Sequence, residues 1–291
     1  MESVVLFCKS YANDVYRVVR LTKSIQKYNN DRIPFFISVP EEDETLFRQH
    51  LPIGGWQLIT DEQIINISHK QAPGLRHDDL PAHVQQQFVK SEFWRLALCE
   101  NYLVLDSDSF FIRPFFQSDF LTDAGIPYTV CHENKEIRQF AARNNRPKIT
   151  EGFMQERQNI QAQFERKGRA LDYGPTPCIW SCQVWKTLSQ QFAAPKGLSF
   201  ADLLQRVPSE LLWYGEAVIN LRPIPLIPIE PLFKVFHFQQ QLQENQKYFK
   251  ESEKTWAKDY LGIIRQSNWE FELDYVPRKR RSWRTLWLKK Q

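Results

Sequence analysis

Glycine is scarce in this chain, with 10 in 291 residues, and methionine scarcer still, with 2. No apolar stretch approaches the ~20 residues needed to cross a bilayer, which excludes a membrane-spanning helix. The segment Met-Glu-Ser-Val-Val-Leu-Phe-Cys-Lys lacks the basic start and long apolar core of a secretory signal, so cytoplasmic residence is expected. The 5 cysteines (Cys8, Cys99, Cys131, Cys178, Cys182) are odd in number and scattered, which speaks against a disulfide framework and for reduced thiols. Cys178 and Cys182 have no second Cys/His pair at metal spacing and so lack the ligands of a zinc site. No internal repeat is visible.

Aromatic residues, in contrast, are abundant: 21 Phe, 10 Tyr and 9 Trp. Such a chain folds around a substantial core, as one large α/β domain or two small ones. The net charge of +4 is local. From Tyr275 onward come Arg278, Lys279, Arg280, Arg281, Arg284, Lys289 and Lys290 with no acid, so the rest of the chain is mildly acidic. A nucleic-acid partner is therefore not expected, because its positive charge would line a folded face.

Periodicity places strands at Val4–Phe7, Pro34–Val39 and Trp56–Thr60, with a helical pattern from Asp14 to Ile25 and another opened by Pro40 and three acids. Alternating strands and helices predict a parallel, Rossmann-like sheet. Residues 61 to 82 read as a polar loop or excursion, and Gln85 to Cys99 as a strong helix. Residues 134 to 170 form a charged helical excursion. A proline-bearing loop from Asp172 enters a strand near Ile179, and Ser209 to Asn220 is helical. Phe233–Phe238 reads as the last strand and Gln239–Tyr260 as a polar helix.

The densest signal is Asn101 to Pro114, where the strand Tyr102–Leu105 runs into Asp106-Ser107-Asp108. In an extended strand, residues i and i+2 point the same way. Two carboxylates there repel unless a cation lies between them, and oxygen donors suit Mg²⁺ or Mn²⁺, which also bridge to phosphates. The alternative for a bare Asp-x-Asp is a turn or a helix cap. His237, after the last predicted strand, is a candidate third ligand, or else a core histidine.

The order of parts resembles the GT-A glycosyltransferases, and more closely a group of bacterial GT-A-like proteins of polysaccharide-synthesis loci. The matching pieces are Lys9-Ser10-Tyr11, Gln86-Gln87-x-x-Lys90, Leu105-Asp106-Ser107-Asp108, Pro177-x-x-Trp180 and Ser209-Glu210-x-x-x-Tyr214-Gly215. The resemblance implies a mixed central sheet flanked by helices, and a nucleotide-sugar donor with a glycan or lipid-linked acceptor. Within a catalytic domain of residues 1–240, the nucleotide half would run to about 115 and the acceptor half from 116; a helix and basic tail fill 241–291. It also implies that Asp108 binds Mn²⁺ or Mg²⁺ directly and that Asp106 assists the metal or holds the ribose.

Three further roles follow from residue chemistry. Lys90 offers a phosphate a point charge, or else is a solvated helix position. Ser10 and Tyr11 follow the first strand, where open α/β sheets bind ligands. The acceptor's general base is expected from Glu210 first, then Glu216, then Asp172, although Ser209-Glu210 also suits a helix N-terminus. In the tail, Trp283, Leu286 and Trp287 recur at i, i+3, i+4 among cations, the pattern of an interfacial helix. Residues 278–290 are thus expected to touch the anionic inner face of the cell membrane, or alternatively to be solvated with the aromatics docked. A nucleotidyltransferase is the competing enzyme, but it would carry a glycine-rich basic loop after the first strand. The non-catalytic alternative is a carbohydrate- or membrane-binding module.

Overall fold

The four apolar runs become parallel strands of one sheet. The computed structural model describes residues 1–71 and 74–276. In chain order the strands are β1 (Glu2–Lys9), β2 (Phe35–Val39), β3 (Gln57–Thr60), β4 (Cys99–Asp106), β5 (Ser109–Phe111) and β6 (Thr129–Val130). They continue with β7 (Cys178–Ser181), β8 (Pro228–Ile229), β9 (Phe233–Phe236) and β10 (Gly262–Arg265). The main sheet has the order β3-β2-β1-β4-β7, parallel except for β7, which runs against β4. The mixed α/β architecture with helices on both faces is as expected.

The two-residue period of a strand divides the core into two layers. Val5 and Phe7 of β1 join Tyr102 and Val104 of β4 on one face. Val4, Leu6 and Cys8 join Leu103 and Leu105 on the other. Helix Val15–Tyr28 covers the second face with Val15, Val18, Leu21 and Ile25 buried. Its exit is fixed by Asn29, whose side chain donates to the Ile33 carbonyl at 2.8 Å and accepts from the Ile33 N–H at 3.0 Å. Helix Ala82–Glu92 covers the first face through Val84, Phe88 and Val89. The chain then makes a tight turn at Phe93–Leu96 and ends in left-handed Ala97, φ 53°, which stops the predicted helix before Cys99.

Several elements differ from expectation. Asp61–Gln71 is a helix rather than a loop, with Asp61 and Glu62 in its first turn favouring the macrodipole and Ile64 buried. The stretch Gln239–Tyr260 holds two helices, Gln239–Lys247 and Glu253–Trp256, not one. Phe233–Phe236 is not the last strand, because β10 lies parallel to β9 and antiparallel to β5. A Cβ on Gly262 would meet the Phe233 ring at 2.2 Å, which is why β10 starts on glycine. The packed body thus continues past residue 240, as far as Asp274, which is buried with Arg17. No helix among the described residues is long and apolar enough to cross a membrane. The expected membrane contact of residues 278–290 lies outside the described residues.

Candidate active site

Parallel strands deliver their last residues to one edge of the sheet, where open α/β folds bind ligands. Here β1 delivers Lys9 and Ser10, β3 leads into Asp61, and β4 ends at Asp106. Above them opens a cleft of ≈ 740 Å³, also lined by Tyr11, Asp14, Lys90, Asp108 and the segment from Gln266 to Asn268 after β10. That volume suits a small-molecule ligand.

Asp106 is the last residue of β4, on the face of helix Ala82–Glu92, and that helix sends Lys90 to it. The ammonium lies 2.5 Å from Asp106 Oδ1 and 3.6 Å from Glu210 Oε1. Thr176 donates its hydroxyl to the other Asp106 oxygen. Lys90 is only 5 % exposed. Burial by itself would lower its pKa, but Asp106, then Glu210, raise it and keep it charged. For Asp106, burial pulls upward while Lys90 and Thr176 bring the carboxyl below its ordinary range. Glu210, at the start of helix Glu210–Leu221, is raised, by burial first, with Lys90 opposing. Lys90 is therefore the buried centre of a carboxylate–ammonium–carboxylate row under the cleft floor.

Asp108 does not repeat the orientation of Asp106. Residues 107 and 108 form a turn between β4 and β5, so the i, i+2 alternation stops at Asp106. Asp108 Oδ2 accepts from the Ser267 N–H at 2.9 Å, and Arg20 donates to the Asp108 carbonyl at 3.1 Å. Oδ1 is buried with no hydrogen-bond partner, which costs about 1–3 kcal/mol when no ligand supplies one. Burial, then neighbouring Asp106, pushes the Asp108 carboxyl up to about 7. Ser10 presents a second buried, unpartnered oxygen to the same cleft.

These residues fit a divalent cation. An orphaned carboxylate oxygen beside a second carboxylate is the donor set that Mg²⁺ or Mn²⁺ takes when phosphate and water complete its shell. Among the described residues no group of three or more His, Cys, Asp and Glu side chains could hold a metal ion.

Sequence reasoning missed the frame around them. Asp14 accepts from the Ser107 hydroxyl at 2.7 Å and pairs with Arg17 at 2.8 Å, while Arg17, fully buried, reaches Asp274 at 2.6 Å. Lys9 pairs with Asp61 at 2.7 Å, and Ser38 donates to Asp61 at 2.5 Å. A signal existed for some of them: Lys9 ends β1, and Asp61 and Ser107 directly follow β3 and β4. Apart from Asp14 and Arg17, three residues apart, the partners lie far from each other in sequence.

The other expected residues are spread out. Tyr11 is exposed at the cleft rim. Glu216 is fully buried elsewhere, accepting from Arg166 at 2.6 and 2.7 Å and from the Tyr173 hydroxyl at 2.9 Å. Asp172 is held by Arg157 at 2.5 Å and Asn134 at 2.7 Å. His237 opens not on the Asp108 cleft but on a second cavity of ≈ 460 Å³, with His132, Glu230 and Tyr260; burial lowers its pKa. Loop 172–177 separates the two spaces, with Pro175 lining the second and Thr176 bonded to Asp106.

Known structures and families place this architecture. An active-site mutant of LgtC shares the fold with a TM-score of 0.50 at 10% identity, over 89% of this chain and 86% of that one. The galactosyltransferase LgtC in complex with donor and acceptor sugar analogs has a TM-score of 0.49 at 10% identity, with the same coverage. At such identity the mutant's likeness is one of fold, the GT-A type. No curated protein matches the chain. Residues 3–278 match a family described as "Family of unknown function (DUF6492)".

Proposed function

We propose that this chain, which belongs to the DUF6492 family of unknown function, is a metal-dependent glycosyltransferase. It moves a sugar from a nucleotide-sugar donor to a glycan or lipid-linked glycan in cell-surface polysaccharide synthesis. The observation that carries the reading is the buried, unpartnered Asp108 Oδ1 beside Asp106, facing a donor-sized cleft at the carboxyl edge of a GT-A-type sheet.

Asp108, with Asp106, would hold Mn²⁺ or Mg²⁺, which when bound supplies positive charge beside the departing diphosphate. Lys90 fixes Asp106 from below and adds its own charge under the diphosphate. Ser10, from inside the cleft, and Tyr11, at its rim, contact the nucleoside. Of the three acids expected as base, Glu210 lies 3.6 Å from Lys90, which lines the cleft, whereas Glu216 and Asp172 are each tied to an arginine. Glu210 is thus the first choice for the acceptor's proton. Residence on the inner face of the cell membrane extends the proposal; the seven cations from Arg278 onward support it.

The nucleotidyltransferase alternative needs free backbone N–H groups after β1 to cradle a triphosphate. In that loop Ser10 N–H goes to the Ser38 carbonyl at 2.8 Å, Asp14 N–H to the Tyr11 carbonyl at 2.9 Å, and Ala12 N–H to Asp43 at 2.7 Å. Titrating UDP-, GDP- and CMP-sugars with and without Mn²⁺ tests the proposal. One donor should bind tightly only with the ion, and no donor binding under either condition would contradict it.

A further inference from the structure

We infer that Arg20 is a positioning residue for Asp108, tying the segment after β10 to the turn that carries that carboxylate. The inference rests on the proposed function, since it concerns the same site. Arg20 projects from helix Val15–Tyr28 with its side chain 22% exposed. One Nη donates to the Asp108 carbonyl at 3.1 Å, and the other pairs with Glu270 at 2.8 Å. Its guanidinium carbon lies 4.5 Å from the centre of the Phe110 ring. Phe110 is two residues beyond Asp108, so Arg20 grips the turn at its carbonyl and just after it.

Glu270 closes the other side. It follows Ser267, whose N–H donates to the Asp108 carboxylate at 2.9 Å. Its carbonyl accepts from Arg17, and Arg265 stands 3.6 Å from its carboxylate. The Asp108 carboxylate is thus held by the segment that Arg20 anchors, while the Asp108 carbonyl accepts from Arg20 and also from the Arg265 N–H at 3.3 Å. Two acceptors in different directions suit the planar fork of arginine and not the single ammonium of lysine. Hydrogen-bonded supports of this kind orient metal-ligating carboxylates, and their loss typically lowers metal affinity about 10- to 100-fold.

Mn²⁺ uptake by the full chain, followed by loss of the free-ion EPR signal with and without UDP or GDP, tests the role. Asp108→Asn should abolish uptake. Arg20→Gln should raise the half-saturating Mn²⁺ concentration about tenfold, and Arg20→Lys should recover part of the loss. Adding Glu270→Ala to Arg20→Gln should worsen uptake little further, since the two residues act as one linked unit. The role is overturned if Asp108→Asn abolishes uptake while both Arg20 variants stay within about twofold of the unsubstituted chain, well below the expected loss. Should Arg20→Gln not fold, Arg20→Lys decides alone, weakened uptake supporting the role and unchanged uptake overturning it. No Mn²⁺ uptake by the unsubstituted chain contradicts the proposed function itself and removes the role with it.

Discussion

Replacing Lys90 by methionine removes the only cation from the row Asp106–Lys90–Glu210 while keeping the length and packing of the side chain. The ammonium is 2.5 Å from Asp106 and 3.6 Å from Glu210, and the side chains of Lys90 and Glu210 are 6% and 8% exposed. Taking one partner from a buried ion pair costs about 3–5 kcal/mol, because the remaining charge stays buried. Asp106 is 35% exposed and partly hydrated, which moves the expectation to the low end, about 3 kcal/mol. In a chain of this size that is a fall in Tm of about 6 °C. Urea unfolding of Lys90→Met against the unsubstituted chain reads the difference directly, and donor titration on the folded fraction should show weakened binding because Asp106 loses its anchor. If Lys90 served only as an exposed phosphate contact, donor binding would fall with stability unchanged. A stability loss under about 1 kcal/mol, the value of an exposed pair, would refute the buried-row reasoning.

Three other perturbations follow from the packing. Gly215→Ala would place a methyl 1.9 Å from Tyr173 Cγ. Thermal unfolding should show destabilisation of about 1–3 kcal/mol or more from overpacking, and a Tm within 1 °C (about 0.5 kcal/mol) would contradict the fixed position of that ring. Glu216→Ala leaves Arg166 without its bidentate partner and should cost about 3–5 kcal/mol in urea unfolding, with donor affinity of the folded protein retained because Glu216 is remote from the cleft. Asp202 closes a capping box with Ser199 and accepts from the Leu75 N–H. Burial opposes the shift, but these hydrogen bonds hold its carboxyl below the ordinary range. Its lowered native pKa means that its stabilisation is present above the unfolded carboxylate pKa and fades as pH falls through the native one. Asp202→Ala should therefore cost about 1 kcal/mol at pH 7 and progressively less below about pH 4, read by denaturation at both pH values.

The sheet was legible because its strands are short apolar runs whose alternation matches two buried faces. β1 and β4 are the clearest cases, and together they also locate the cleft. The helix Asp61–Gln71 was hidden by its polar surface, since Ile64 is its only fully buried apolar residue. β10 was missed because its four residues, Gly-Ile-Ile-Arg, hold only two apolar side chains and the strand gains its place only by pairing with β5 and β9.

At the site, Asp106 and Asp108 were visible as residue types, but their divergence was not. The turn after Asp106 breaks the alternation, and its partners Lys90, Thr176 and Ser267 come from three distant segments. His237 shows the same limit. Its position after β9 was readable, yet which cavity it faces depends on the path of residues 131–137 and 171–175. Spacing along the chain does not encode such long-range choices.

Donor hydrolysis measures most directly whether Asp108 makes the cleft a cation-dependent donor site. The full chain is incubated with UDP-, GDP- and CMP-sugars, with Mn²⁺ or with chelator, beside a folded Asp108→Ala variant. Release of one nucleoside diphosphate is expected with Mn²⁺ alone, and its loss both with chelator and in Asp108→Ala. Donor turnover that survives chelation and the substitution would contradict the claim.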